Sequence, residues 1–218
     1  STVSDNTSLN HNGGGIYGFF NSAINVTNST VSGNAAGDVA GGLRTLGSAT
    51  ITNSTISGNT STLWHGGALF STDGTVTILN TTIVGNNAPG GTAGGLMVAT
   101  FGAPVTVTVQ NSIIADNGTY NCQIEGNPPD PAPPVAVLTS LGNNVISDGS
   151  CNPVGSDQVV SDAGLDALAN NGGPTWTHAL LAGSPAIDAA NTAVCPANDQ
   201  RGVARDAACD IGAFEFVP

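Results

Sequence analysis

The chain has 218 residues, enough for a sizeable core in one or two domains, and an unusual balance of charge: three arginines, no lysine and 15 acidic residues, for a net charge of −12. That balance argues against DNA, RNA or anionic headgroups as partners, since phosphate is bound by Lys and Arg. An acidic surface of this kind collects divalent cations adventitiously, but no cofactor is expected, and no apolar run is long enough for a membrane span.

In chain order, Ser1-Thr2-Val3-Ser4 has neither the basic start nor the apolar stretch of a signal peptide and reads as the middle of a repeat, so a processed or partial chain is expected. The unit Asn28-Ser29-Thr30-Val31-Ser32-Gly33-Asn34 returns at Asn53–Asn59, at Asn80–Asn86 and, degraded, at Asn111–Asn117. The closing asparagines 6, 34, 59, 86 and 117 lie 28, 25, 27 and 31 residues apart. Seven or eight residues after each of the first four comes a glycine pair: Gly14-Gly15, Gly41-Gly42, Gly66-Gly67 and Gly94-Gly95. Before each opening asparagine runs a short alternating stretch, such as Val76-Thr77-Ile78-Leu79, which is strand grammar.

Three short strands per unit describe one turn of a three-sided solenoid, with each strand about 4.8 Å from its counterpart in the next coil. The expected fold is therefore all-β, a right-handed three-sided parallel β-helix with an irregular C-terminal cap; the hand follows from the general preference of parallel crossovers. Val26, Ile51, Ile78 and Val109 should form one inward column, Val31, Ile56, Ile83 and Ile114 a second, and Ile16, Leu43, Ala68 and Leu96 a third. Asn28, Asn53, Asn80 and Asn111 sit at a bend and are expected to form a ladder of stacked amides. A buried rung without a partner would cost roughly 1–3 kcal/mol. Three of these asparagines match a glycosylation acceptor pattern, read as a by-product of the ladder; Asn6, Asn59 and Asn117 are less excluded as acceptors, with unmodified turn residues preferred.

The arm from the glycine pair to the next opening asparagine runs 14, 12, 14 and 17 residues, so variable loops project from one corner. Tyr17, Arg44, Leu69 and Met97 are read as the outward column beside the glycine strand, with Phe19, Leu46 and Phe101 at the neighbouring corner. This partly apolar stripe is either a contact face for a ligand or neighbour, or is covered by a loop or the C-terminal segment.

After the coils, 1–150, the grammar changes. The Pro-rich stretch 127–134 reads as a rigid excursion, 162–170 as a short helical turn, and 151–218 as a last coil and capping region. The cysteines fall into two local pairs, Cys122 with Cys151 and Cys195 with Cys209, which suits disulfides in an oxidising compartment; four free thiols are the alternative, and no zinc spacing is present. Arg201 lies among Asp188, Asp199, Asp210 and Glu215, a salt-bridged brace for the cap in preference to an active site, with His178 and Trp176 as packing residues.

The Asn-Ser-Thr repeats followed by Gly172-Gly173-Pro174-Thr175, His178-Ala179-Leu180, Gly183-Ser184-Pro185-Ala186-Ile187-Asp188, Asp199-Gln200-Arg201-Gly202 and Asp210-Ile211-Gly212-Ala213-Phe214-Glu215 resemble the bacterial choice-of-anchor Q surface proteins. The resemblance spans essentially the whole chain. It implies an extracellular or cell-surface β-helix, structural or adhesive, whose N-terminal region and anchor lie outside this sequence.

Two partners follow as expectations: a second copy, through end-to-end stacking into a filament or layer, and a glycan or other surface ligand at the variable corner. Catalysis is disfavoured. A pectate-lyase-like enzyme needs clustered carboxylates beside a basic residue, whereas the repeats offer only Arg44, with Asp38 and Asp73 in loops.

Overall fold

The computed structural model describes residues 1–125 and 135–217; the Pro-rich excursion expected at 127–134 lies outside the described residues. The chain winds into a parallel β-solenoid with three long sheets and a short fourth at one corner. Sheet A stacks seven strands, from Thr2–Ser4 through Thr30–Ser32, Thr55–Ser57, Thr82–Val84 and Ile113–Ala115 to Val145–Ile146 and Gln158–Val159. Sheet B holds only the pairs Thr7–Ser8, Ala35–Ala36 and Thr60–Ser61. Sheets C and D carry five strands each, running from Ile16–Gly18 to Tyr120–Glu125 and from Ala23–Thr27 to Ala136–Ser140.

The first two inward columns pair as the sequence pattern predicts: Val26, Ile51, Ile78 and Val109 in register, and Val31, Ile56, Ile83 and Ile114 likewise. The third needs a correction. Leu69 pairs with Leu43 and Leu96 and is fully buried in the core, so it belongs to the inward column, and Phe70 takes the outward place. The slip arose at one glycine pair. Gly66 adopts a left-handed backbone, φ 73°, as Gly13 and Ala40 do in the two preceding coils, so the close-packed pair of this coil is Gly67-Ala68. A Cβ on Gly67 would sit 2.5 Å from the carbonyl oxygens of Asn87 and Gly94. In a strand a shift of one residue exchanges the faces.

The ladder runs along a different column. Closing asparagines stack without a break: Asn6 donates to Asn34 at 2.9 Å, Asn34 to Asn59 at 2.9 Å, Asn59 to Asn86 at 2.9 Å, and Asn86 to Asn117 at 2.8 Å. Each Oδ1 also accepts the backbone N–H of the asparagine below it, and from Asn34 onward each Nδ2 donates to a backbone carbonyl as well. Asn59 and Asn117 are thus buried rungs, which removes them as glycosylation acceptors. The last amide passes to Asn121, whose backbone N–H meets the Asp148 carboxylate. Burial pushes the Asp148 carboxyl up, but hydrogen bonds from Ser150 and Asn121 outweigh it and hold it below the ordinary range.

The opening asparagines form only two rungs, Asn53 to Asn28 at 2.8 Å and Asn111 to Asn80 at 3.2 Å. The missing rung has a cause: Arg205 occupies Asn53 Oδ1, while Asn80 Nδ2 donates to the Asp210 carbonyl. What this column shares throughout is the left-handed bend, φ 44–54°, which asparagine tolerates better than most residues.

The irregular C-terminal region folds back along the solenoid as a strap over the outer face of sheet A. It makes contacts from Val145 as far back as Thr30, whose hydroxyl donates to the Trp176 carbonyl. Ala163, Leu180, Ala186, Ile211 and Phe214 close a second core against Val84, Ile113, Ala115 and Val145. Polar outward positions meet polar strap groups: Thr55 donates to Gln200 at 2.7 Å, Ser57 meets His178 Nε2 at 2.9 Å, and Ala213 donates to Thr82 at 3.1 Å. No helix forms at 162–170. Gly164 has a φ of 65° with its N–H on the Asp162 carboxylate, and Leu165 and Ala169 bridge antiparallel to Leu180 and Thr177. Both disulfides pair as expected, Cys122–Cys151 tying a short 3-10 turn to sheet C and Cys195–Cys209 closing a loop of the strap.

Because the Asn86 side chain satisfies three backbone groups and two neighbouring amides, Asn86→Ala should lower the unfolding free energy by roughly 3 kcal/mol. Asn6→Ala, at the exposed end of the same ladder, should cost under about 0.5 kcal/mol. Urea denaturation followed by circular dichroism measures both, and equal effects would remove the ladder's role.

Candidate functional site

On the outer face of sheet C the residues Tyr17, Arg44, Phe70, Met97 and Gln123 stand in register. Alternation sends them away from the core, yet Arg44, Phe70 and Met97 are buried. Segments on both sides rise over them. One wall comes from the connections between sheets B and C, which bring Asp38, Val39, Trp64 and His65, and the other from Phe101 between sheets C and D. Together with Asn12 and Glu125 they enclose a groove of about 390 Å³, at the small-ligand end of the usual range.

The predicted outward stripe is exposed only in part. Tyr17, Phe19 and Phe101 are exposed and Leu46 is half-buried. Met97 and Arg44 form the groove floor, and Leu69 lies in the core. Trp64 and Phe70, which the sequence reading passed over, complete the aromatic lining. Trp64 sits in the connection that looked invariant in length, so loop-length variation did not mark it.

The groove also gathers titratable groups that are far apart in sequence. Thr92 N–H donates to His65 Nδ1 at 3.1 Å, which leaves the proton on Nε2, facing Glu125 Oε1 at 3.8 Å. Arg44 stacks on the Phe70 ring, its guanidinium carbon 4.1 Å from the centroid. Its Nε and Nη1 are buried and have no hydrogen-bond partner among the described residues. Burial pulls the Arg44 pKa down to about 10, while Tyr17 and Asp38 pull it back up; the side chain remains cationic at neutral pH.

The charged cluster of the strap is structural. Arg201 pairs with Asp199 at 2.7 Å, lies 3.5 Å over the Phe214 ring and donates to the Glu215 backbone carbonyl, so it does not pair with the Glu215 carboxylate. That carboxylate belongs to Arg205, at 2.9 Å, a residue absent from the predicted brace. Arg205 also reaches Asn53 and the carbonyls of Asp210 and Gly212, which makes it the tie between strap and solenoid. Asp210 receives the backbone N–H groups of Asp188 and Phe216, while Asp188 enters only through its backbone. His178 packs as expected, buried against Ser57, whereas the Trp176 side chain is more than half exposed. Among the described residues no three His, Cys, Asp or Glu side chains converge as a metal site, and no helix is long and apolar enough to cross a membrane.

The fold defines a class, the parallel β-solenoids. No protein-family model, curated protein or solved structure matches the chain.

Two strap residues titrate with opposite consequences. Burial, against hydrogen bonds from Phe216 and Asp188, raises the Asp210 carboxyl to about 6. The folded state then holds that proton more tightly than the unfolded chain, so this contribution is full below about pH 4 and is lost as pH rises through 6. Burial lowers the His178 pKa, so the folded state loses stability as pH falls below about 6.5. In His178→Gln the Asp210 slope should stand alone, with strap stability from amide exchange declining between about pH 4 and 6.5. The Asp210 carboxyl 13C shift should titrate near 6; a midpoint near 4 would overturn the assignment.

Proposed function

We propose that this chain is a surface-displayed structural and adhesive β-solenoid that engages glycans through the groove on sheet C and acts by binding without catalysis. The observation that carries this reading is the groove itself. Trp64 and Phe101 stand more than half exposed at its walls, and flat aromatic faces beside the polar groups of the groove suit sugar rings. The strap closes a second core over the later strands of sheet A and leaves a groove of about 660 Å³ against its first strands, lined by Leu168 and Trp176, but the groove on sheet C is the one that holds Arg44, His65 and Glu125. The resemblance of the Gly172–Thr175 to Asp210–Glu215 motifs to choice-of-anchor Q proteins supports an extracellular, surface-attached location, and the two disulfides are consistent with it. Self-assembly belongs to the same role and is read by light scattering of the purified chain.

A second reading has one specific observation in its favour. Asp38, His65 and Glu125 line the same groove as Arg44, a combination that could cleave a polysaccharide. Release of reducing ends or unsaturated uronates, abolished in Glu125→Gln, would establish it.

The binding reading predicts hits on a glycan array that weaken at least tenfold in Trp64→Ala and in Phe101→Ala. Thermal stability should stay within about 1 kcal/mol of the parent, because both side chains are largely exposed. An array without hits would sink the proposal.

A further inference from the structure

The three cations of this chain are not used alike. Arg201 and Arg205 each face a carboxylate inside the strap, at 2.7 Å and 2.9 Å. Arg44 has no ion pair among the described residues, and two of its nitrogens are buried without an acceptor. Only 7% of the residue is exposed, and it lines the groove. A buried charge without a partner is strongly unfavourable. Nor does packing call for it: the next two places in the same column are filled by Phe70 and Met97. An apolar side chain of Arg44's length would complete the column without a desolvated charge.

We propose that Arg44 is the receptor for a ligand carboxylate, and that the groove binds an acidic sugar through it. This deepens the glycan reading and rests on it. The guanidinium presents N–H groups in a planar fork that matches a carboxylate. Asn12, whose Oδ1 is also buried without a donor, lines the same groove and would supply an acceptor for a sugar hydroxyl. Trp64 and Phe101 offer ring faces to the sugar's C–H surface. A densely charged polyanion fits poorly, because the chain carries −12 overall and Asp38 and Glu125 flank the groove. One carboxylate opposite one arginine is what the charges accommodate.

The test is titration calorimetry of the intact chain with a glucuronate-terminated disaccharide, its neutral glucose counterpart, its sulfated counterpart, and a short peptide with a free C-terminal carboxylate. The uronate should bind at least tenfold more tightly than the neutral sugar and more tightly than the sulfated one. Arg44→Met should erase that preference while the melting temperature stays level or rises, a pairing that a merely structural arginine would not give. In the unmutated protein the Arg44 Nε–H resonance should shift on adding the uronate, which needs no variant to fold. Equal binding of acidic and neutral sugars, or a preference that survives Arg44→Met, overturns the role of Arg44 and leaves glycan binding standing. Preference for the sulfated sugar overturns the carboxylate. Arg44-dependent binding of the peptide alone replaces the sugar, and binding of no glycan ends both readings.

Discussion

Coil-on-coil stacking of backbone and amides is the constraint from which the rest of this structure follows. Each closing asparagine must accept from one coil and donate to another, and buried amides left unpaired are costly. The rungs therefore hold successive coils in one register, and that register places every column. Val31 lies over Ile56 and Leu43 over Leu69 because the ladder at the corner and the glycine pair beside it admit no slip. A solenoid of this kind has little freedom inward. Its individuality is confined to the outward positions and the loops between sheets.

The two outward faces resolve that freedom in opposite ways. On sheet A the outward column begins with threonines and ends with Ile113 and Val145, and the strap follows this gradient. It meets hydroxyls at Thr30, Thr55 and Thr82 with hydrogen bonds, and Ile113 and Val145 with Leu180, Ala186, Ile211 and Phe214. A strand that is apolar on both faces, as Ile113-Ile114 and Val145-Ile146 are, has a cover on each side. On sheet C the outward column is aromatic, aliphatic and cationic, and loops enclose it without filling it.

Much of the fold was legible because its period is written in identical residues: the repeat unit, the glycine pairs and the alternating runs locate the three long sheets, while the two-residue strands of sheet B carry no pattern long enough to read. What escaped has physical reasons. The choice between two asparagine columns turns on which corner brings amides into mutual reach, and both carry the same residue at the same period. Gly66 serves a left-handed turn where its neighbours in the alignment serve close packing, and glycine looks the same in either role. The strap has no period at all, since its contacts are made to a surface up to 170 residues away, as in Gln200 with Thr30. The doubled isoleucines at 113–114 were the signal that a cover was needed. The groove was half visible: Arg44, Phe101 and Met97 were chosen from the stripe, while His65, Glu125 and Trp64 meet them only through the winding of the coils.

Charge is allocated between the strap and the sheet C groove just as unequally. In a chain with −12 net charge a cation inside the protein lowers the energy of any carboxylate near it, so a buried arginine without an ion pair among the described residues is a conspicuous departure. The strap uses two of the three in the way stability demands, Arg205 locking Glu215 and the Asn53 bend together and Arg201 closing on Asp199. The third stands where a solenoid column would accept a methionine, held over an aromatic ring at the lining of a walled groove. Local sequence rules broken without compensation inside the protein are expected at sites whose compensation comes from outside it. Arg44 is such a place, and we propose that its missing partner is an acceptor that the described residues do not provide.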